Sequence, residues 1–358
     1  GGGAAHPAGW AGLGHRGTFV SSALRLGMVG CGDIAGYTAW FAHLNPGIRL
    51  AACCDRDPRR AEGFARRHHI PRWYAEYAEM LAAGGFEAVY LAVPHDLHLE
   101  MARAALERGL AVLLEKPLAA RMADGAELAA LAGQPGARLA VNYQDRYDAA
   151  CYALATAVQS GAVGRVLYAR CNVPWSRGGE YFSGNAGWHA SRARSGGGTL
   201  LTQASHFLGV ILWACGSPPA RAQGLARNLL FPQEQVEVED LAMGTIELAD
   251  GTLIQMCSSM AVRPEQKASI EVYGEKGTLI YTAGLFPVLK SRGVKIPRAV
   301  LAGRGVHALA RSLEAFRRYV LGGEPHLVGA SQALVPLAAV DALYRSAASG
   351  TWEDVVWR

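Results

Sequence analysis

The sequence predicts an α/β protein: a doubly wound parallel sheet followed by an α/β domain with an open, mainly antiparallel sheet. Three observations carry this reading. From Leu24 short apolar runs alternate with helical stretches, and the runs are continuous in Val, Leu and Ala, as in strands covered on both faces. After Asp145 that alternation gives way to long helical segments and two hairpin patterns.

In chain order, the first run is LRLGMVG (24–30), followed by a helix from Asp33. IRLAACCD (48–55) and a helix after Pro58 come next, then AVYLAVP (88–94), a helix from about Asp96, and AVLLEKP (111–117). A helix containing Met122 to Leu131 leads to RLAVNYQ (138–144), read as the last strand of this unit. Helical crossovers between such runs imply parallel strands. Beyond Asp145, LAMGTIELADGTLIQMCSSMA turns at Ala249, Asp250 and Gly251, and ASIEVYGEKGTLIYT turns at Gly274 to Gly277; both read as antiparallel hairpins. His307 to Gly322 and Ser331 to Gly350 have helical apolar spacing and are expected to pack back onto the body. Residues 1–22 read as a flexible leader without the apolar core of a secretory signal. The expected division is therefore 1–22 leader, 23–144 dinucleotide domain and 145–358 substrate and oligomerisation domain.

Composition narrows the partners. The chain has 358 residues, 51% hydrophobic and 18% charged, too apolar for disorder, and no unbroken apolar run long enough to span a membrane. The net charge of +5 comes from Arg scattered without a basic block, which argues against nucleic acid and for a small molecule. Seven cysteines, odd in number and without CxxC spacing, fit reduced core thiols and a cytoplasmic protein. His68 and His69 read as the solvated end of a helix, and no spacing offers a metal set. Lysine is scarce: Lys116 stands alone in the first 266 residues. An isolated Lys among many Arg suits a site that needs an ammonium able to release its proton.

Gly30-Cys31-Gly32-Asp33-Ile34-Ala35 forms a GxGxxA turn between strand and helix, where small residues let the backbone approach a pyrophosphate. Asp55, 25 residues after Gly30, closes the second strand where a carboxylate binds ribose hydroxyls. It favours NAD, whereas Arg56 and Arg59 would suit NADP. Glu115-Lys116-Pro117 ends a strand at the rim where open α/β sheets bind ligands, and the ammonium there can orient a substrate hydroxyl and share its proton during hydride transfer.

These residues resemble the Gfo/Idh/MocA oxidoreductase family, and the resemblance runs from Leu24 almost to the carboxyl terminus. It rests on the GxGxxA turn with Asp55, on LAVPHDLHLEMARAALERGLAVLLEKP and on SGGGTLLTQASH. VEVEDLA with its following hairpin and the GEKGT turn add to it. The resemblance implies a Rossmann domain plus a second domain whose sheet floors the substrate site and joins copies into a dimer or tetramer. It also implies that Lys116 lies between nicotinamide and substrate, with Val93, Pro94, His98 and Glu115 lining the cofactor. On an apolar helix His206 alone would read as a core residue; the family pattern makes it the acid/base or substrate-orienting group beside Lys116. Thr202, His206 and Gly209 fall on one helical face. Thr202 and Gly209 stand where many relatives have Asp, and Asp145 where a basic residue is commoner. Gln144 is a candidate cofactor contact. Tyr143, Arg146, Tyr181, Trp188, Thr202 and Gln203 are candidate substrate contacts, with His189 beside Trp188; aromatic packing explains the Tyr181–His189 segment equally well. The expected activity is NAD(P)-dependent hydride transfer at a hydroxyl-bearing carbon of a sugar, nucleotide sugar or cyclitol. An NAD-dependent glycosidase and a non-catalytic NAD(P)-sensing regulator are the rivals.

Overall fold

The computed structural model describes residues 23–184, 187–232, 234–296 and 306–357; the leader at 1–22 lies outside the described residues. The first unit runs β1 (Leu24–Val29), α1 (Asp33–His43), β2 (Ile48–Cys54), α2 (Pro58–Arg67), β3 (Trp73–Tyr74), α3 (Tyr77–Ala83) and β4 (Ala88–Leu91). It continues with α4 (His98–Leu106), β5 (Ala111–Leu114), α5 (Met122–Ala132) and β6 (Leu139–Val141). All six strands pair in parallel in the order β3-β2-β1-β4-β5-β6. The order reverses between β1 and β4, the switch point that opens a crevice at the strands' carboxyl ends. The strands are shorter than the apolar runs: β4 stops at Leu91 and β6 at Val141, because the residues beyond them turn into the crevice. β3 and α3 were not foreseen. Two residues, Trp73 and Tyr74, are too short a strand to leave an alternating pattern.

The second unit runs α6 (Ala149–Gln159), β7 (Val166–Pro174), α7 (Gly179–Ser183), α8 (Arg192–Ser195), a π-helical turn (Leu200–Ala204) and α9 (Ser205–Cys215). Then come β8 (Pro219–Arg227), β9 (Leu241–Leu248), β10 (Leu253–Ser259), β11 (Ser269–Gly274), β12 (Gly277–Thr282) and β13 (Val288–Arg292). The chain closes with α10 (Ala308–Gly322), α11 (Ala330–Ser349) and β14 (Glu353–Asp354). Eight strands form a mixed sheet, β13-β12-β11-β7-β10-β9-β8-β14, antiparallel except where β7 meets β10. Both expected hairpins are present, β9–β10 and β11–β12. One face of the sheet is covered by α6, α9 and α11, whose small apolar residues lie close against it; Leu343 of α11 sits where a Cβ on Gly244 would come within 2.5 Å.

The tail returns to the first unit. Leu309, Leu313 and Phe316 of α10 are buried together with Leu24, Leu26 and Ala88 of the parallel sheet. The helical run Arg192–Cys215, long and apolar enough to cross a membrane, is mostly buried in the protein interior. All seven cysteines are free thiols.

Candidate functional site

A cleft of about 260 Å³ opens where the carboxyl ends of β4 and β5 meet the turn after β6 and the start of α9. Of the predicted residues, Ile34, Val93, Glu115, Lys116 and Gln144 line it from the first unit. From the second unit it receives Tyr181, Trp188, Thr202, Gln203 and His206.

Lys116 reaches the cleft because β5 ends at Leu114 and its carboxyl edge delivers the next two side chains to the rim. Its Nζ donates to the Thr202 carbonyl at 2.7 Å. Burial lowers its pKa, against the opposing pull of Glu115 and Asp145. Glu115 is itself buried and held by a chain of polar groups. Its Oε1 accepts from the Tyr90 hydroxyl at 2.6 Å and from Asn142 Nδ2 at 2.7 Å. Thr38 donates to Tyr90, and Ser312 of α10 donates to Asn142 at 2.7 Å. Burial raises the Glu115 pKa while these donors favour its charged form.

His206 comes from the first turn of α9. Gly196, at φ +81°, and Gly198, where a Cβ would fall 1.9 Å from the Glu239 carbonyl, let the chain turn tightly before the helix. Glu239 then accepts the Gly198 and Leu200 amides at 2.9 and 3.0 Å, which secures the helix start. The π-helical turn that follows keeps Thr202 and His206 on the cleft and turns Gly209 toward the Tyr143 ring; such turns recur at functional sites. Burial and the Lys116 charge hold the His206 imidazole neutral, well below its usual range. Its Nδ1 lies 3.4 Å from Asp145 Oδ2.

The opposite wall is aromatic. Trp188 stacks on His189 at 3.8 Å between ring centres, His189 meets Tyr181 at 4.3 Å, and His95 packs edge-on to Trp188 at 4.7 Å. Gln203 donates to the Tyr181 hydroxyl at 2.9 Å and accepts from Arg177 at 3.2 Å. Gln144 Oε1, His189 Nδ1 and His206 Nδ1 are buried without a hydrogen-bond partner. Buried polar atoms left this way are costly unless a ligand or water meets them.

The adenosine end lies beside α1. Gly30 is left-handed (φ +84°), and a Cβ there would fall 2.1 Å from the Ala92 carbonyl. A Cβ on Gly32 would meet nothing within 4 Å, and Gly32 caps α1 without a side-chain hydrogen bond, so the helix start faces open space. The residues therefore fit a pyrophosphate. Asp55 accepts the Cys31 and Asp57 amides, both at 2.9 Å, fixing the turn against the end of β2. Cys31, Gly32 and Asp33 also line a groove of about 310 Å³ with Arg59, Arg60 and Arg67; Arg56 beside them is exposed.

Three expected contacts are placed otherwise. His98 is fully buried, with Nδ1 3.1 Å from the Pro117 carbonyl and Nε2 3.2 Å from the Val93 carbonyl; it ties the two rim loops together instead of lining the cleft. Arg146 is buried, donating to the Gly209 carbonyl at 3.1 Å and lying over Trp213. Tyr143 is 1% exposed and packs beneath His206, ring centres 6.1 Å apart. Pro94 caps the short turn His95–Leu97, adjoining the cleft. Reasoning from the sequence missed Trp175, Ala92 and His95 as lining residues. His95, whose Nδ1 lies 2.7 Å from the Ser195 carbonyl, sits in the same PHDLH run as Pro94 and His98. Among the described residues no group of His, Cys, Asp and Glu is placed to hold a metal ion.

Comparison with known proteins agrees with this geometry. Residues 24–143 match the model of the oxidoreductase family with an NAD-binding Rossmann fold, and residues 152–280 match the GFO/IDH/MocA C-terminal domain. The chain is 25% identical over 357 residues to D-glucoside 3-dehydrogenase of Escherichia coli K12, covering 93% of this chain and 97% of that one. It is 27% identical over 257 residues to 1,5-anhydro-D-fructose reductase of Ensifer adhaerens, covering 72% and 75%. In fold it is similar to the WlbA dehydrogenase of Bordetella pertussis, solved with NADH and UDP-GlcNAcA. That likeness has a TM-score of 0.86 at 24% identity and covers 94% of this chain and 99% of that one.

Proposed function

The chain belongs to the Gfo/Idh/MocA family of NAD-binding oxidoreductases. From that premise we propose that it moves hydride between NAD and a hydroxyl-bearing ring carbon of a sugar, sugar derivative or cyclitol. The observation that carries the proposal is the meeting of Lys116 and His206 in one cleft at the sheet's carboxyl edge, facing an aromatic wall with unpartnered polar atoms. Aromatic faces suit the C–H faces of a sugar ring, and Gln203, His189 and Gln144 suit its hydroxyls.

In this reading the Gly30–Ala35 turn holds pyrophosphate and Asp55 the adenosine ribose. Bound NAD supplies the hydride acceptor or donor. Lys116 hydrogen-bonds the reacting hydroxyl through Nζ and takes up its proton; burial favours the neutral amine that this requires. His206, neutral, orients the same hydroxyl. Glu115, fixed by Tyr90 and Asn142, keeps the lysine at its rim position. We assign 23–144 to the cofactor and 145–358 to the substrate, with free thiols fitting a reducing cytoplasm. The uncovered sheet face exposes Leu167, Tyr168, Leu225, Met243 and Leu253, which supports pairing with a second copy. Light scattering of the purified chain reads that state.

A panel of sugars, nucleotide sugars and cyclitols, followed by nicotinamide absorbance with NAD and with NADP, tests the activity. At least one polyol turned over with NAD is the expected result. Cofactor binding with no turnover across the panel refutes it.

A further inference from the structure

Position 202, one turn before His206, holds threonine, whose hydroxyl donates to the Gly198 carbonyl at 2.7 Å and whose own carbonyl takes the Lys116 hydrogen bond. Neither group can carry a counter-charge. A carboxylate that acts on both proton-handling side chains arrives from elsewhere, on the 3₁₀ turn Gln144–Tyr147 that links the two domains. Asp145 Oδ2 stands 3.4 Å from His206 Nδ1, within ion-pair distance but outside hydrogen-bond geometry, and this buried nitrogen has no hydrogen-bond partner. The Asp145 side chain is 24% exposed and that of His206 13%, so water screens the pair only partly.

We propose that Asp145 is the positioning residue of this site, holding the His206 imidazole through Nδ1 and supplying the counter-charge to Lys116. The proposal rests on the reading of Lys116 and His206 as the proton-handling pair. An Nδ1–H directed at the carboxylate leaves Nε2 of His206 as the hydrogen-bond acceptor. Bound NAD would supply the acceptor for the hydride of the alcohol's C–H bond, and the O–H proton passes to the neutral Lys116 amine. The ammonium so formed is faced by Asp145 and Glu115; on reduction the proton returns to the new alkoxide oxygen.

The electrostatics agree. Burial and the neighbouring Asp148 push Asp145 up to about 7, with Lys116 pulling it down. The groups that reach Asp145 are Lys116 from the end of β5, His206 from α9, Asp148 on its own segment, Cys151 from α6 and Tyr281 from β12. Asp148 is engaged in capping α6, accepting the Ala150 and Cys151 amides at 2.9 and 3.0 Å. Cys151 and Tyr281 stay uncharged in the working range, since burial raises both.

The test uses the full chain with Asp145→Asn, Asp145→Glu, Asp145→Ala and the double change Asp145→Asn with Thr202→Asp. Asp145→Asn should lower kcat at least tenfold with NADH affinity within twofold of the parent, and erase the ionisation near pH 7 from the kcat/KM profile. Asp145→Glu should recover part of kcat, as should an acid restored at 202 on the same cleft wall. Nitrogen-resolved NMR of His206 in the parent should show the Nδ1–H tautomer, and Asp145→Ala should lose it. The idea is overturned if Asp145→Asn keeps kcat and its pH profile, or if the Asn and Glu variants alike lose activity, melting temperature and NADH affinity together. Should the parent turn over no polyol, the proposed activity fails, and the NMR tautomer alone still decides for or against the Asp145–His206 pairing.

Discussion

Replacing Lys116 by Met keeps the side chain's length and removes its charge, so it isolates what the ammonium does. Two stability effects oppose each other. The hydrogen bond from Nζ to the Thr202 carbonyl is lost, and a charge-assisted bond is worth about 1.5–3 kcal/mol. The variant also escapes the cost of burying an ammonium, which amounts to several kcal/mol before its partners offset it. Melting temperature should therefore change little. Turnover should not escape: positioned proton transfer contributes about 10²–10⁴-fold, or roughly 2.7–5.4 kcal/mol of barrier. The pH dependence of stability gives a second readout. Burial lowers the Lys116 pKa, so between its folded value and the ordinary lysine range the unfolded chain binds more protons. Stability of the parent should rise with pH through that window, and Lys116→Met should lack this rise. The assays are initial rates at saturating polyol, NADH fluorescence titration, and denaturant unfolding at several pH values. Turnover within tenfold of the parent, with NADH still bound, would refute the assignment.

Three further outcomes are expected. Gly32→Val, at φ −83° with nothing within 4 Å of a Cβ, should leave melting nearly unchanged while its methyls fill the pyrophosphate cradle, weakening NADH by at least about tenfold in titration. Asp55→Ala removes the acceptor of the Cys31 and Asp57 amides; loss of charge-assisted bonds should weaken NADH roughly 10- to 150-fold and shift preference toward NADPH, read from Kd ratios. Gly209→Asp puts a Cβ 3.1 Å from the Tyr143 ring, and overpacking of this kind costs about 1–3 kcal/mol, a melting drop of roughly 1–4 °C that adding Tyr143→Ala should relieve.

What was legible from the residues followed from strong periodicity. Continuous apolar runs gave β1, β2, β4 and β5, and paired runs around Gly251 and Gly274 gave the hairpins. The rim residues Glu115 and Lys116 were readable because a strand end has one direction. The turn 144–147 was not. Four residues of 3₁₀ helix point three ways: Gln144 and Asp145 toward the cleft and its His206, Arg146 into α9, and Tyr147 toward Leu327, whose amide donates to the Tyr147 hydroxyl. No period distinguishes these directions, which is why Arg146 reads as a substrate contact from the sequence and is a packed residue in the structure. Gly209, which stands where many relatives have Asp, is small enough for the Tyr143 ring to lie against α9, a packing role that no pattern along the chain displays. His98 misled for another reason, since a histidine near a cofactor and a histidine tying two loops look identical along the chain.

The hydroxyl of Ser312 comes from a stretch synthesised some 170 residues after the asparagine that receives it. A ribosome-bound fragment ending after β6 would have Asn142 and Glu115 in hand yet lack the helix that seals the sheet behind them. Cutting the gene at the domain border should thus yield an aggregation-prone piece instead of a free-standing nucleotide-binding module. Assembly of this enzyme is a circuit that only its final third can close.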